Sequence, residues 1–324
     1  MRLQTINDYQ TQLQQLYQSG DYSAALALAA EGATKFPDHS LLLYYWQITM
    51  AARLGNIDQS LYMLKQVLAA GNWYGEVLLR QSPSLKPLQG IEEFEQLVLL
   101  NRELQEREAD QLYPILTLRS QGQCRAGGTP CNLLLALHAN GSTARDTVPF
   151  WRPAASTGWL VAIPQSSQPM WKDAYIWDDR EYTTEEISRH YTALCKQYAI
   201  DQNRVVLGGH SMGGEMAIWL ALTAAVPAQG FIAFGPGGLY MDDLESWKPL
   251  IQANRESAMR GYLVIGQEDD TIPSANVHRL VEMLGKASIS CHLEVVPDVG
   301  HEFSVEYESC LLRGLDYIQG NLAE

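Results

Sequence analysis

Residues 204–222, RVVLGGHSMGGEMAIWLAL, decide the fold of this 324-residue chain. The apolar run RVVLGG indicates a buried strand, and GEMAIWLAL has the apolar spacing of a helix. Between them stands the GxSxG pentapeptide GHSMG, at residues 209–213. Glycines on both sides of a serine suit a sharp strand-to-helix turn, because a side chain there would collide with the neighbouring strand or helix. The stretch therefore predicts an elbow that projects the Ser211 hydroxyl above the carboxyl edge of a sheet.

Apolar runs of strand length alternate with helical patterns over the last two thirds of the chain. Several of these strands are apolar throughout, as strands covered on both faces must be. We therefore predict an α/β domain over residues 111–324, with a mostly parallel sheet and helices on both faces. A capping box of Thr183 and Glu186 is predicted to start the first helix. The candidate strands lie at residues 113–118, 132–139, 158–163, 204–209, 230–234, 261–266 and 291–296, and the candidate helices at 183–198, 213–225, 273–286 and 304–320.

A 35-residue repeat precedes this domain. Residues 16–38 align with residues 51–73, so that Gly20 falls on Gly55, and a more degenerate unit follows at 76–100. A glycine turn between two helical patterns at that period resembles the tetratricopeptide repeat. The charged run that follows indicates a helix end or a linker. We therefore expect an all-α, tetratricopeptide-like domain over residues 1–110.

A serine hydroxyl is a weak nucleophile unless a base takes its proton and an acid orients that base. Candidates follow two later strands, in QEDDTIP at residues 267–273 and PDVGHEF at residues 297–303. Serine, then acid, then histidine is the chain order of α/β-hydrolase triads. The amides at the start of a helix favour developing negative charge, so we expect the Met212 N–H to be an oxyanion donor.

On these motifs, residues from about 112 to 324 resemble an α/β-hydrolase of the carboxylesterase and dienelactone-hydrolase type. In that family the acid follows a strand-ending glycine by three residues and precedes a proline by four. The resemblance therefore implies Asp269, between Gly266 and Pro273. The family histidine follows a glycine and precedes an aromatic residue by two positions, which implies His301.

Other residues near these motifs remain alternatives. Asp270 or Glu268 would be the acid if the turn were shifted by one residue, and Asp298 is a weaker rival. His210 lies inside the pentapeptide, but its side chain is expected to point away from Ser211. Packing or backbone support is therefore the role predicted for it.

The resemblance also implies a second oxyanion donor in the loop after the strand at 132–139. The family commonly has His-Gly there, and the residue after that glycine supplies its N–H. This chain has Ala139 in the glycine position, so Asn140 is the implied donor, with a plain surface turn as the alternative. Trp171 and Trp177, in the loop at 164–179, are candidates either to line a substrate pocket or to pack the loop.

Composition narrows the function classes. The 23 Lys and Arg residues against 37 Asp and Glu give a net charge of −14, the wrong sign for binding nucleic acid or anionic lipid. The chain shows neither a membrane-spanning run nor a signal peptide, so we expect a cytoplasmic protein. The five cysteines are interpreted as free thiols, with a Cys124–Cys131 bridge as the less favoured alternative. The chain shows no metal-binding motif, and we expect no metal or other cofactor.

These observations predict a serine esterase that cleaves small-molecule carboxylic esters through an acyl-enzyme on Ser211. A thioesterase or a peptidase with the same triad is one alternative. The other is a repeat-based interaction protein whose hydrolase domain is an inactive platform. We expect the repeat domain to act on recognition or access but not on the chemical step, with a protein partner or self-association as further possibilities.

Overall fold

A computed structural model of the chain describes residues 5–112, 115–120, 124–125, 127–255 and 257–321. Its contacts define two compact units. The first consists of Met1–Gln111 and Pro169–Lys172, and the second of Leu112–Gln168 and Asp173–Glu324. Residues 113 and 114, the start of the first candidate strand, lie outside the described residues.

The first unit is helical. The repeat found in the sequence corresponds to two helix pairs, because Gly20 at the end of the first helix and Gly55 at the end of the third have positive φ angles of 80° and 78°. The charged run at 101–110 continues the sixth helix instead of ending it. The likeness of these pairs to tetratricopeptide repeats stays a prediction. The helices are α1 (Ile6–Ser19), α2 (Tyr22–Lys35), α3 (Ser40–Arg53), α4 (Ile57–Ala69), α5 (Glu76–Gln81) and α6 (Glu92–Leu112), with 3₁₀ turns at Pro37–His39 and Pro83–Leu88.

The second unit contains a seven-stranded sheet, and each of the seven candidate strands supplies one of its strands. The strands are β1 (Ile115–Leu118), β2 (Cys131–Leu137), β3 (Leu160–Pro164), β4 (Gln168–Trp171), β5 (Ala174–Ile176), β6 (Ile200–His210), β7 (Gly230–Phe234), β8 (Arg260–Gly266) and β9 (Ser290–Val296). The sheet order is β1-β3-β2-β6-β7-β8-β9, and β4 and β5 lie outside it. All neighbours are parallel except β1 with β3. The predicted α/β-hydrolase fold is confirmed.

Helices cover both faces of this sheet, as apolar strands require. They are α7 (Ala144–Ser156), α8 (Arg180–Gln197), α9 (Met212–Leu222), α10 (Lys248–Ala253), α11 (Ser274–Lys286) and α12 (Tyr307–Gln319). Alternate residues of β2 face opposite cores: Leu133 and Leu135 pack with residues of α9 and α11, and Leu134 packs with residues of α7 and α12. The two buried cores hold the sheet rigid, so its carboxyl edge is a firm base for a site.

One helix prediction needs correction, and two helices, α7 and α10, were not predicted. Helix α8 begins at Arg180, because the Asp179 side chain accepts the Tyr182 N–H at 2.9 Å and caps the helix there. Thr183 therefore lies inside the first turn and its hydroxyl donates to the Asp179 carbonyl oxygen. Helix α7 was not predicted, since two prolines interrupt its apolar pattern.

The prediction of five free thiols is wrong for two of them. Cys124 and Cys131 form a disulfide, with their Cα atoms 5.5 Å apart. Cys124 is buried, and Cys131 is the first residue of β2. Within the described residues, Cys195, Cys291 and Cys310 are free.

Among the described residues, no helix combines the length and the apolarity that a membrane crossing requires.

Candidate active site

The elbow predicted at Ser211 is present between β6 and α9. Ser211 has φ 54° and ψ −126°, a conformation that residues with a side chain seldom adopt. A Cβ added to Gly209 would lie 2.1 Å from the Gly213 carbonyl oxygen, and one on Gly213 would lie 2.4 Å from the His138 carbonyl oxygen. Both flanking positions therefore have to be glycine. The Met212 N–H belongs to the first turn of α9, where backbone donors lack helical partners.

The loops after β8 and β9 bring an acid and a histidine to this serine. The Nε2 atom of His301 lies 2.9 Å from the Ser211 Oγ atom, and its Nδ1 atom lies 2.8 Å from the Asp269 Oδ2 atom. The other carboxylate oxygen of Asp269 accepts the N–H groups of Thr271 and Ile272 at 3.0 and 2.9 Å. The structure thus brings together the three residues that the sequence singled out.

The surroundings of Asp269 keep it ionised. Burial alone would raise its pKa, but the hydrogen bonds from His301 and from two backbone N–H groups outweigh burial and lower the pKa below its usual value. Its side chain is 2% exposed, whereas the neighbouring acids Glu268 and Asp270 are exposed. A buried carboxylate on Nδ1 leaves the His301 Nε2 atom without its proton and able to accept one from Ser211.

His210 supports the loop after β9, as its place in the pentapeptide suggested. Its Nε2 atom lies 3.0 Å from the His301 carbonyl oxygen, so the ring is the Nε2–H tautomer and donates this bond. The ring also packs on those of His301 and Phe303, at centroid distances of 5.2 and 4.5 Å. Burial, helped by the nearby His301, lowers the pKa of His210 to about 4 and keeps it neutral.

The loop after β2, residues 138–142, is called the oxyanion loop below. It begins against the elbow, because the His138 carbonyl oxygen is the atom that a Gly213 side chain would strike. Asn140, the implied second donor, is exposed two residues further on. The Nδ1–H of His138 donates to the Ala139 carbonyl oxygen at 2.8 Å, and burial lowers the pKa of His138 to about 4. A neutral, buried histidine therefore shapes the backbone where the family has glycine.

Residues 165–177, called the support loop, hold the oxyanion loop from two ends. The Ser166 N–H donates to the His138 Nε2 atom at 3.2 Å. At the other end, the Trp177 Nε1–H donates to the His138 carbonyl oxygen at 2.9 Å. The Gly141 N–H donates to the Tyr175 carbonyl oxygen at 2.8 Å.

Trp171 and Trp177, the two candidate pocket residues, both pack against neighbouring residues. Trp177 is 1% exposed and donates to the oxyanion loop as described, so its contacts are those of loop packing. Trp171 belongs to the first unit, where it packs against the core cluster that contains Tyr74. Of the two roles left open by the sequence, packing is the one these contacts support.

Sequence reasoning missed a buried ion pair beside the elbow. Glu215, one helical turn after Ser211, is 2% exposed, and a nitrogen of the 6% exposed Arg180 lies 3.5 Å from it. The Glu215 carboxylate also accepts the Tyr240 and Met241 N–H groups at 3.2 and 2.9 Å. Burial lowers the pKa of Arg180 to about 10, so it stays charged at neutral pH. The Glu215 carboxylate thus ties the loop after β7 to α9, and its pairing with Arg180 joins α8 to the same helix. A glutamate in an otherwise apolar helix was the one signal for it.

Comparison with known proteins agrees with this geometry. The sequence profile of the phospholipase/carboxylesterase family matches residues 134–310, more than half of the chain, and the chain belongs to that family. A profile described as the N-terminal domain of A/B hydrolase-like proteins matches residues 5–110. No curated protein sequence matches the chain.

Solved structures support the fold. An uncharacterized protein from Bacillus cereus is 24% identical with a TM-score of 0.55, and the match covers 98% of this chain and all of that one. Esterase PE8 is 19% identical with a TM-score of 0.50, over 64% of this chain and 98% of its own. A dienelactone hydrolase-like promiscuous phosphotriesterase, P91, from metagenomic libraries is 13% identical with a TM-score of 0.50, over 64% of this chain and 98% of its own. At these identities the likeness establishes the fold alone.

Proposed function

We propose that this protein is a serine esterase that hydrolyses carboxylic esters through an acyl-enzyme on Ser211. One observation carries the proposal: the continuous hydrogen-bonded chain from Ser211 through His301 to a buried Asp269. That arrangement is the one that activates a serine for acyl transfer. Membership of the phospholipase/carboxylesterase family supports an ester as the substrate.

The residues divide the reaction between them. The His301 Nε2 atom takes the Ser211 proton while the serine Oγ attacks the ester carbonyl carbon. The negative oxygen that forms accepts hydrogen bonds from the Met212 and Asn140 N–H groups. His301 then returns the proton to the leaving alkoxide, and the acyl group remains on Ser211. A water molecule, deprotonated by His301, releases the acid in the same manner, and Asp269 stabilises the charged imidazole in both steps.

Replacement of the nucleophile tests this mechanism. Ser211→Ala should lower kcat for p-nitrophenyl acetate by about 10⁴-fold or more and prevent labelling by a fluorophosphonate. Ser156→Ala, at an exposed serine that ends α7, is the matched control and should label fully. Wild-type protein that neither labels nor turns over would contradict the proposal and favour the inactive platform.

A panel of substrates tests which class of acyl compound the protein hydrolyses best. Purified protein is offered p-nitrophenyl esters of increasing acyl length, acyl thioesters and aminoacyl amides, with kcat/KM measured for each. The proposal expects the oxygen esters to be the best substrates. A preference of tenfold or more for thioesters or amides would replace it with the thioesterase or the peptidase.

A further inference from the structure

The middle of the support loop belongs to the first compact unit, although both its ends lie in the second. Pro169–Lys172 is the segment concerned. The Gly75 N–H donates to the Met170 carbonyl oxygen at 2.6 Å, and the Lys172 N–H donates to the Trp73 carbonyl oxygen at 3.1 Å. This pairing is antiparallel, like a pair of short strands.

Residues 73–75 pair closely with residues 169–172, and this pairing is called the clamp below. A Cβ on Gly75 would lie 2.1 Å from a carbonyl oxygen of the other strand, so the two backbones are in direct contact. Asn101 holds the backbone of Tyr74 in place. Its side-chain oxygen accepts the Tyr74 N–H, and its side-chain N–H donates to the Tyr74 carbonyl oxygen, both at 2.8 Å. Both residues are fully buried. The helical unit therefore holds this segment through satisfied, buried backbone bonds, which are costly to break.

The chain on each side of the clamp reaches the oxyanion loop within a few residues. Three peptide units separate Ser166 from Pro169, and five separate Lys172 from Trp177. Ser166 and Trp177 both bind His138, as does Gln165 beside Ser166. Connections of this length span at most about 11 and 18 Å, so a large displacement of the clamp has to move Ser166 and Trp177 with it.

We propose that the clamp positions the oxyanion hole: the helical unit fixes the middle of the support loop, and the loop's two ends set the path of residues 138–142. The Asn140 N–H is thereby held where the negative oxygen develops. This inference rests on the proposed function. It gives the helical unit a share in the chemical step, in contrast to the expectation from the sequence that it acts on access or recognition alone.

Gly75→Ala tests the proposal. Gly75 has φ −56° and ψ 129°, angles that alanine adopts freely, so the added methyl acts through its collision with the clamp. Gly285→Ala, in α11, is the matched control, because a Cβ there meets nothing within 4 Å. Amide hydrogen exchange at Gly75 and Lys172 verifies that the clamp has opened. Asn101→Ala, which removes the support of Tyr74 without a collision, is the second variant and serves if Gly75→Ala fails to fold.

Three kinetic readouts separate positioning from general stability. A charged tetrahedral adduct with a trifluoromethyl ketone needs the oxyanion hole, whereas binding of the neutral ester does so far less. We expect kcat for p-nitrophenyl acetate to fall about tenfold and the inhibition constant of the ketone to rise about tenfold, with KM within twofold. The control should match wild type in all three.

Two results would overturn the clamp proposal. One is a variant with an opened clamp and wild-type kcat and ketone affinity. The other is a loss of activity that active-site titration with the fluorophosphonate assigns wholly to fewer competent molecules. A wild-type protein that does not label at all would instead contradict the proposed function. Failure of the clamp proposal and failure of the proposed function are therefore distinguishable.

Discussion

Ser211 stands between an acid–base side, formed by the loops after β8 and β9, and an oxyanion side, formed by the oxyanion and support loops. Each side has a backbone carbonyl held by a ring N–H: His301 by His210, and His138 by Trp177. The sides differ in how their residue types are constrained. The acid–base side keeps the family motif, and the oxyanion side departs from it at Ala139.

The difference reflects which atoms do the chemistry. In the proposed mechanism, side chains on the acid–base side exchange or orient a proton, so histidine and aspartate are required by type. In the same mechanism, backbone N–H groups on the oxyanion side bind the negative oxygen, and any residue except proline supplies one. What matters there is the path of the chain. Supports from distant positions, such as Trp177 for His138, determine that path.

The largest expected effect lies on the acid–base side. Asp269→Asn should lower kcat by about 10⁴-fold, because an amide in this position favours the wrong tautomer of His301. Asp270→Asn, one residue further in the same turn, should change kcat by less than about twofold because Asp270 is exposed. Steady-state kinetics on folded variants decides between them. A larger loss in Asp270→Asn would mean that the turn has the other register.

The oxyanion side should show an acid-dependent loss of stability. His138 has a pKa of about 4 when folded against an ordinary value of 6.5, so the unfolded chain takes up a proton first as the pH falls. Its contribution to stability is present above pH 6.5 and is lost down to about pH 4, by about 2 kcal/mol between pH 7 and pH 5.

Denaturant unfolding at several pH values measures this loss. His138→Gln should remove about 2 kcal/mol of the pH dependence whatever its effect at pH 7. His278→Gln, at an exposed histidine, is the control and should retain the wild-type slope. An unchanged slope in His138→Gln would show that His138 takes up its proton equally in both states.

The support of the oxyanion side is probed by Trp177→Phe. The variant keeps a buried ring but loses the N–H that binds the His138 carbonyl, so kcat should fall about tenfold with KM little changed. Trp151→Phe removes the same group from an equally buried indole whose Nε1 has no hydrogen-bond partner among the described residues. That control should lose stability alone. Equal kcat values in the two variants would show that the Trp177 N–H does not position the oxyanion loop.

The corresponding support on the acid–base side should matter less, since Asp269 also holds His301. His210→Phe keeps the ring contacts and loses the bond to the His301 carbonyl, and should lower kcat about fivefold. His210→Gln, which retains a donor, should recover most of the loss. The pH profile of kcat/KM should shift in the Phe variant and return in the Gln variant. A loss that Gln does not recover would assign the effect to packing.

The sequence alone was sufficient where a residue type or a local pattern is required. Seven apolar runs located the seven strands of the sheet, because a strand covered on both faces has to be apolar. The GxSxG turn and the positions of Asp269 and His301 after two later strands identified the residues that the structure brings together. Helix α7 and the start of α8 were missed, since prolines and a competing cap override local patterns.

Only the tertiary structure decided the oxyanion side. Trp177 and Ser166 bind His138 across 39 and 28 positions of sequence, and the clamp joins residue 75 to residue 170. The Cys124–Cys131 bridge, in contrast, spans only seven positions, so the expectation of free thiols, and not distance along the chain, led away from it. Contacts that use backbone atoms or depend on the packing of remote segments leave no pattern in a single sequence, whereas side-chain chemistry and burial do.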